Sequence, residues 1–595
     1  MDVKGSQEKF LGPSLYKIAL KVVYQNFIKH DPGFDIKSLP DRIVFDLIRQ
    51  CFQNDKTQKL LYEKMDLVIF IQLMKYEKYR PKLMKFYQAL INHDYPVGME
   101  FVNTFTKMSM DAVDSNDDDR IIKCIRNGLR FGSFLSEASW YSESEQVLRL
   151  TKTLSHRLPK TVLSYKLILE CCHRLFHTLT MFFKFNDATE IYHEITNLMS
   201  ILEKNGESPS YILLYTEFSK YSFLKSNYEE SFKWIKRAIL CLEDNTAIST
   251  QIQVLRQASK VCVVKRDFVK AKFLMHQALA RAELHYGSGY YKLASLLHDF
   301  GFYLLNSDNI EQSASVYNEA YKLRIRMFDS KEKNLHVAIA EEDLAYALYV
   351  LEYSSGYFEC AMKHAESAIK IMKNLLPPGN LMLSSANRVK ALILEEQALD
   401  SFLNNAEEDI TIMLEEAEKL HQDALSLTKH TFGEENTLTA KHYGNLGRLY
   451  QSMKKYEDAE QMHLKAIQIK EKILGPEDYE VGLSVGHLAS LYNYHMEEYE
   501  KAEQLYYRSI KINLKLFSES YSGLEYDYRG LIHVYEHLND RVQSDKFNKK
   551  LTEWTKLRSQ CIPDAVGPDF YKVLSPAPID SVKNIFDNSA STSTA

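Results

Sequence analysis

Polar side chains recur at one position of a repeated helical pattern, directly before the first apolar core residue of each copy. The residues at this position are Gln257, Asp299, Asp343, Asn445 and His487. A peptide that binds in an extended conformation has backbone N–H and C=O groups without partners, and such a row can hydrogen-bond them. Asp299 and Asp343 could also pair with a ligand arginine through charge-assisted contacts. The row predicts a peptide-binding groove, although an ordinary solvated helix face would show the same pattern.

Two cationic residues flank Asn445 and extend the predicted groove. Lys441 lies one helical turn before Asn445, and Arg448 lies three residues after it. Together they could receive the carboxylate of a peptide. A glycine in the ligand would suit a narrow groove, because glycine has no side chain.

Catalytic and metal-binding patterns remain incomplete in the sequence. The glycines at 287 and 289 lack the third glycine of a dinucleotide-binding fingerprint. No phosphate-binding loop, nucleophile elbow or zinc-protease motif occurs. The acidic run 341–343 is typical of a solvated helix surface, and four histidines fall at repeat positions that favour core-edge or groove roles: His442, His463, His487 and His495. We therefore predict a protein that is not an enzyme and that binds no cofactor or metal.

The composition favours a soluble and largely helical protein. Among 595 residues, glycine (21) and proline (14) are scarce, and both disfavour helix interiors. The net charge of −5 argues against a dominant nucleic-acid-binding surface. The eight cysteines include no C-x-x-C pair, which indicates reduced thiols in the cytosol or nucleus. Since no apolar stretch reaches about 18 residues, we expect a cytoplasmic protein, with the nucleus as a further location.

A long-period repeat organises the chain. Leu446 and Leu488 are 42 residues apart, and Ala459 and Ala502 are 43 residues apart. One helical hairpin cannot bury its own apolar face, so stacked copies share a continuous core. The pattern predicts an all-α, right-handed, tetratricopeptide-like helical-repeat solenoid, and its copies resemble the longer repeats of kinesin light chains. An irregular helical bundle is the alternative. The small residue recurs at Ser144, Ala188, Ser231, Ala271, Ala314, Ala361, Ala417, Ala459, Ala502 and Ser544.

Four regions follow from the distribution of this repeat. Residues 1–110 show helical patterns without the repeat, residues 111–250 carry degenerate copies, and residues 251–560 carry clear copies. Residues 561–595 contain four prolines and a serine- and threonine-rich end. That composition offers little apolar surface to bury, so we expect a flexible tail.

Two short helical patterns near the N-terminus could bind partner proteins. Leu15, Ala19 and Val23 recur every four residues and form one apolar stripe. A second pattern consists of Leu39, Pro40 and Ile43, with the proline near the start of a helix. The first resembles the BC box that binds elongin C, with Ala19 where cysteine is usual, and the second resembles a cullin-2 box. Alternatively, both helices cap the end of the solenoid.

Longer strings carry a resemblance over nearly the whole chain. Residues 255–260, 390–396, 440–453 and 523–531, together with the order of the two boxes, resemble the amyloid protein-binding protein 2 family. The resemblance implies a substrate-recognition subunit of an elongin BC–cullin-2 RING ubiquitin ligase. Such a subunit binds elongin B/C, cullin-2 and its RING subunit, and recognises C-terminal degrons that contain arginine and glycine.

The same resemblance implies a second role. It suggests binding to the cytoplasmic tail of the amyloid precursor protein and association with microtubules, and therefore a cytoskeleton- or membrane-associated fraction. The alternative function is thus a cargo or trafficking adaptor for the cytoplasmic tails of membrane proteins.

Overall fold

The computed structural model describes residues 15–29, 35–51, 62, 66–207, 209–287, 292–330, 332–353, 356–400, 407–560 and 575–587. Within these ranges the chain forms 26 α-helices and no strand, which confirms the predicted all-α class. None of the helices in these ranges is long and apolar enough to cross a bilayer.

The chain divides into two compact units. Residues 1–182, 193–206 and 327–333 belong to the first unit, and residues 183–192, 207–326 and 334–595 belong to the second. The predicted domain limits at 110 and 250 stay predictions. The first unit contains helices α1 Leu15–Ile28, α2 Asp41–Cys51, α3 Leu67–Leu73, α4 Arg80–Asn92, α5 Val97–Asp114, α6 Asp118–Glu137, α7 Tyr141–Ser155 and α8 Val162–Met181.

The second unit is a run of helical hairpins. Helix α9 Phe185–Lys204 has residues in both units. The helices that follow are α10 Ile212–Leu224, α11 Tyr228–Leu240, α12 Ile248–Val264, α13 Phe268–Tyr286, α14 Leu293–Asn306, α15 Ile310–Phe328, α16 Leu335–Glu352, α17 Glu359–Leu375, α18 Leu381–Asp400, α19 Glu407–Phe432, α20 Thr437–Ser452, α21 Tyr456–Leu474, α22 Tyr479–Tyr494, α23 Tyr499–Leu516, α24 Gly523–His537, α25 Arg541–Gln560 and α26 Ile579–Asp587.

A single left-handed residue reverses the chain at the tip of most hairpins. At the tip between α12 and α13, Arg266 has a φ of 61°, and the N–H of Asp267 donates to the carbonyl of Cys262 at 2.9 Å. This hydrogen bond closes the end of α12 in a Schellman motif. The Asp267 side chain then caps α13 by accepting the N–H of Lys270. The tips at Ser226, Asp308, Lys454, Glu497 and Asn539 also have positive φ.

The small residues of the repeat lie where two helices of a hairpin pack closely. All ten positions of the predicted series are buried. At two of the three serine positions, the hydroxyl donates to a carbonyl of the preceding helix: Ser144 Oγ to Gly132 O and Ser231 Oγ to Ser219 O, both at 2.8 Å. Ser144, Ala188 and Ser231 are buried like the small residues of the later copies.

The prediction of a flexible tail is wrong for residues 579–587. These residues form α26, whose Ile579, Val582 and Phe586 are buried in the core of the second unit. The spacing of these three side chains puts them on one helix face. Averaging the composition over 561–595 concealed this short amphipathic pattern. Residues 561–574 and 588–595 lie outside the described residues.

Candidate functional site

The first helices of successive hairpins lie side by side and carry the predicted row of polar residues. Helix α12 contacts α14, and each of α16, α18, α20 and α22 contacts the next first helix. Each predicted residue occupies the middle of one such helix, so the row runs across the hairpins. We call it the polar row: Gln257 on α12, Asp299 on α14, Asp343 on α16, Asn445 on α20 and His487 on α22.

Asp299 already forms ion pairs with cationic side chains of the same protein. Its carboxylate lies 2.7 Å from Arg256 and 3.6 Å from Lys260, and it is buried. Burial raises the pKa of this carboxyl, but the charges of Arg256 and Lys260 outweigh burial and lower the pKa to about 2. A ligand arginine would have to displace one of these partners. The structure therefore does not favour the predicted role of Asp299 in binding a ligand arginine.

Gln257 is also engaged within the protein. It is buried, and its Nε2 donates to the hydroxyl of Ser219 on α10 at 3.2 Å. The amide therefore joins two neighbouring first helices. Its position is the predicted one, but its hydrogen bond is structural.

Asp343 is the more accessible acid of the row. It is partly exposed, and its Oδ2 lies 3.0 Å from His298 Nδ1 on α14. The neighbouring Glu342 is a second acid at this point, and burial together with the charge of Asp343 raises the pKa of Glu342 to about 7. Asp343 is therefore the carboxylate of the polar row that a cationic ligand can reach.

Arg448 binds two glutamates and is not free to receive a peptide carboxylate. Its Nη2 lies 3.0 Å from Glu395 and 2.9 Å from Glu396, both on α18. The hydroxyl of Tyr349 is a third neighbour, at 3.4 Å from Nη1. Burial raises the pKa of Glu396 to about 7, although the Arg448 charge opposes this shift. The predicted contact between Arg448 and a ligand is therefore corrected to a structural ion pair between α18 and α20.

Lys441 and a cation that the sequence analysis missed share one aromatic ring. Lys441 Nζ lies 5.8 Å from the centre of the Tyr346 ring, and the Arg388 guanidinium lies 5.0 Å from it. Within the described part of the chain, Arg388 Nη1 and Asn445 Nδ2 are buried without a hydrogen-bond partner. Unpartnered buried donors are rare and indicate a missing acceptor. We call Arg388, Lys441 and Asn445 the cationic patch.

Arg388 was missed because its repeat copy is irregular. Helix α18 lacks the string of a polar residue, a leucine and a small residue that marks the row in α16, α20 and α22. Lys441 lies one helical turn before a residue of the polar row. The same position in α18 could be located only after α18 had been aligned with the other first helices, so Arg388 was not recognised.

His487 is partly buried and lies beside the buried imidazole of His463. The rings of His463 and His487 are 6.2 Å apart between centroids, and His463 is buried with both nitrogens unpartnered among the described residues. Burial lowers the pKa of His463 and of His442 to about 3, so both are neutral at physiological pH. No group of three or more metal-ligating side chains was found in the described ranges.

Three contacts join hairpin tips of the second unit to helix starts that lie 211 to 214 residues later. The first contact is 3.0 Å from Asn436 Nδ2 to Lys225 O. The second is 3.9 Å from Arg266 Nη2 to Asp478 Oδ1. The third is 2.6 Å from Ser522 Oγ to Asp308 Oδ1. A cavity of about 660 Å³ lies beside the first two contacts. Each tip meets the start of the fifth hairpin beyond its own, so the hairpins between them complete one turn. We call these contacts the seam: Lys225 with Asn436, Arg266 with Asp478, and Asp308 with Ser522.

The comparisons with known proteins identify the family. A tetratricopeptide repeat family model matches residues 413–472 and 450–515. The amyloid protein-binding protein 2 of Mus musculus and that of Rattus norvegicus are each 43% identical to this chain over 552 residues, which cover 93% of the chain and 93% of each relative. This chain belongs to the amyloid protein-binding protein 2 family.

Solved structures resemble this member of the amyloid protein-binding protein 2 family more distantly. The Rap protein complexed with competence and sporulation factor is 13% identical, with a TM-score of 0.41, and the alignment covers 66% of this chain and 98% of that chain. BtubC (BKLC) from P. vanneervenii is 16% identical, with a TM-score of 0.31, and the alignment covers 43% of this chain and 95% of that chain.

In this member of the amyloid protein-binding protein 2 family, the first predicted N-terminal box lies on an accessible helix. Leu15 is 88% exposed, Ala19 is exposed, and Val23 is partly exposed on α1. Ile18 and Val22 are also about half exposed. Helix α1 therefore presents an apolar surface to solvent.

The second predicted box spans the start of α2, the helix that packs against α1. Pro40 is exposed immediately before α2, and Leu39 and Ile43 are partly exposed. Tyr16 on α1 hydrogen-bonds Asp46 on α2, which fixes the two helices side by side. The structure thus brings both boxes together within the first unit.

Proposed function

We propose that this protein is the substrate-recognition subunit of an elongin BC–cullin-2 RING ubiquitin ligase. Its tetratricopeptide repeats and its family make it a protein-interaction scaffold. In the proposal, α1 and α2 dock on the ligase, and the second unit holds a C-terminal degron that contains arginine and glycine. The protein would act in the cytoplasm, bind no nucleic acid and need no cofactor.

The exposed apolar surface of α1 is the observation that carries the ligase proposal. Soluble proteins seldom leave a continuous apolar surface open unless a partner covers it. Full burial of a leucine such as Leu15 contributes about 1.5–3 kcal/mol. We assign Leu15, Ala19 and Val23 to elongin C, and Leu39, Pro40 and Ile43 to cullin-2.

The polar row and the cationic patch support the degron part of the proposal. A C-terminal carboxylate matches the unpartnered donors of Arg388 and Asn445 and the charge of Lys441. Asp343 is the acid of the row that remains accessible to an arginine of the degron. Opposite charges at two points would fix the direction of the bound peptide.

Affinity purification tests the ligase proposal. Tagged wild type, Leu15→Ser, Leu39→Ser and the control Gln25→Ser are expressed in the same cells, because Gln25 is an exposed polar residue of α1. We expect wild type and the control to recover elongins and cullin-2. Leu15→Ser should lose both elongins and cullin-2, and Leu39→Ser should lose mainly cullin-2. Equal recovery from all four proteins would exclude the assignment of α1 and α2.

A cargo or trafficking adaptor is the second candidate function. The curated relatives are named for binding an amyloid protein, which favours the cytoplasmic tail of a membrane protein as the ligand and a cytoskeleton- or membrane-associated location. The same purification separates the two functions. An adaptor would recover such a tail while wild type recovers neither elongins nor cullin-2.

A further inference from the structure

Helix α26 covers an apolar surface on the second helices of the second unit. Its Ile579, Val582 and Phe586 join a core cluster that includes residues of α11 and α13. The ring of Phe586 stacks on Phe232 of α11 at 5.7 Å between centroids. This surface is formed by second helices, whereas the polar row lies on first helices. It is therefore a separate surface from the candidate degron site.

The residues before α26 are held through their main chain. Gln277 Oε1 accepts the N–H of Ala577 at 2.6 Å, and Arg281 Nη2 donates to the carbonyl of Ala577 at 2.7 Å. The N–H of Ile579 donates to Asp244 Oδ1 at 3.4 Å. These contacts recognise an extended backbone that turns into a helix, and they depend little on the identity of the side chain at 577.

Arg281 is a buried cation with neutral hydrogen-bond partners. It is 3% exposed, and it donates to Gln251 Oε1 and Gln277 Oε1, both at 2.8 Å, besides the Ala577 carbonyl. In the described part of the chain, no carboxylate lies within ion-pair distance of it. The nearby charge of Asp244 opposes burial, but burial has the larger effect and lowers the pKa of Arg281. A guanidinium binds a carboxylate more strongly than a carbonyl oxygen. Arg281 is therefore better matched to a carboxylate than to the main-chain carbonyl of Ala577 that it contacts.

We propose that the surface under α26 is an exchangeable docking site for an amphipathic helix of a partner protein, with an acidic residue at the position of Ala577. The apolar side chains of the partner follow the spacing of Ile579, Val582 and Phe586. Its acidic residue pairs with Arg281. In the free protein α26 occupies the site, and the partner helix displaces it.

The displacement is physically reasonable because α26 is short. A nine-residue helix does not hold its structure in water without packing. Its place on the surface depends on three buried side chains and on its covalent connection, which provides an effective concentration in the millimolar range. An ion pair with Arg281 offsets part of this advantage, and the local concentration of the partner must supply the rest.

Peptide binding to the full chain tests the proposal. The probes are a fluorescent peptide of residues 575–587 and the same peptide with Ala577→Asp. The proteins are wild type, Val582→Asp, which undocks α26, and Ser581→Asp, which adds the same charge on the exposed face of α26. A further chain combines Val582→Asp with Arg281→Met. Fluorescence anisotropy gives the dissociation constants.

We expect Val582→Asp to bind the native peptide at least about tenfold more tightly than wild type or Ser581→Asp, because the tethered competitor is removed. The Ala577→Asp peptide should bind the Val582→Asp chain about fivefold more tightly than the native peptide. Arg281→Met should abolish that difference. Equal affinity of wild type, Val582→Asp and Ser581→Asp for the native peptide overturns the proposal. Equal affinity of the two peptides for the Val582→Asp chain also overturns it.

A measurement with α26 in place guards against misfolding of Val582→Asp. The substitution Ala577→Asp in the full chain should slow hydrogen exchange of the amides of residues 579–587 about fivefold, because Arg281 then holds a carboxylate. Arg281→Met in that chain should remove the effect. Unchanged or faster exchange in the Ala577→Asp chain contradicts the role assigned to Arg281.

Discussion

Asn436 Nδ2 donates a hydrogen bond to the main-chain carbonyl of Lys225 at 3.0 Å, and its Oδ1 accepts the N–H of Leu438 at 2.8 Å. One side chain therefore caps α20 and holds the seam. Asp478 combines the same two roles, because it caps α22 and lies 3.9 Å from Arg266.

Substitutions at Asn436 should separate the cap from the seam. Asn436→Asp keeps the oxygen that caps α20 but replaces the donor to Lys225 with a second acceptor. We expect faster hydrogen exchange at the hairpin tip of residues 225–227 and normal exchange in the first turn of α20. Asn436→Ala should speed hydrogen exchange both at the tip and in the first turn of α20. It should lower the free energy of unfolding by about 1–3 kcal/mol. Normal exchange at the tip in Asn436→Asp would show that the seam does not depend on this bond.

The repeat was predictable because its signal is local. A small residue that recurs about every 42 residues marks close packing within one hairpin, and the burial of Ala271, Ala459 and Ala502 confirms it. Periodicity also placed Asp299 and Arg448 on first helices. It did not reveal their partners, because Arg256 and Glu395 lie 43 and 53 residues away on other helices.

The seam and α26 were missed for different physical reasons. The seam joins residues more than 200 positions apart, and its contacts depend on how far each hairpin rotates against the next. A single sequence carries no measure of that rotation. Helix α26 has a local apolar pattern, but its stability comes from the surface on α11 and α13 rather than from its own composition.

Two glycines of α20 should respond oppositely to alanine. A Cβ at Gly447 would lie 2.8 Å from atoms of the His463 ring, whereas a Cβ at Gly444 would meet only Ala466 at 3.8 Å. We expect Gly447→Ala to destabilise the second unit by about 1–3 kcal/mol through overpacking. Gly444→Ala should be neutral or stabilising by up to about 1 kcal/mol, because alanine favours the helix. Thermal unfolding of the full chain measures both, and equal midpoints would contradict the packing of His463 on α20.

The buried histidines should destabilise the protein in mild acid. Burial lowers the folded pKa of His463 to about 3, below the unfolded value of about 6.5. The unfolded chain therefore binds the proton first, so stability is complete above about pH 6.5 and falls as the pH decreases toward 3. At pH 5 one such group costs about 2 kcal/mol. Comparing thermal midpoints at pH 7 and pH 5, His463→Gln should lose less stability than wild type.

Buried acids of the same unit change stability in the opposite direction. Burial raises the pKa of Glu396 and of Asp527 to about 7, so protonation in mild acid favours their folded state. The comparison between variants therefore isolates the histidine. His430→Gln is the control because His430 is exposed. If the thermal midpoint of His463→Gln falls between pH 7 and pH 5 as much as that of wild type, this imidazole does not control the loss of stability in acid.

The cationic patch should recognise a terminal carboxylate. We expect a labelled peptide that ends in an arginine- and glycine-containing sequence to bind with a free C-terminus and to bind weakly when the C-terminus is amidated. Lys441→Met and Arg388→Gln should each weaken binding of the free acid about tenfold, because each removes a charge-assisted contact of about 1.5 kcal/mol. Neither should change binding of the amide.

Lys454→Met is the control for this experiment, since Lys454 is an exposed lysine at the tip between α20 and α21. It changes the net charge as Lys441→Met does but lies outside the patch, and it should leave both peptides unaffected. Because Arg448 is already paired with Glu395 and Glu396, loss of binding in Arg448→Met should be accompanied by a lower thermal midpoint, whereas Lys441→Met should keep the midpoint of wild type. Equal affinity for the acid and the amide would show that the carboxylate is not the group that the patch binds.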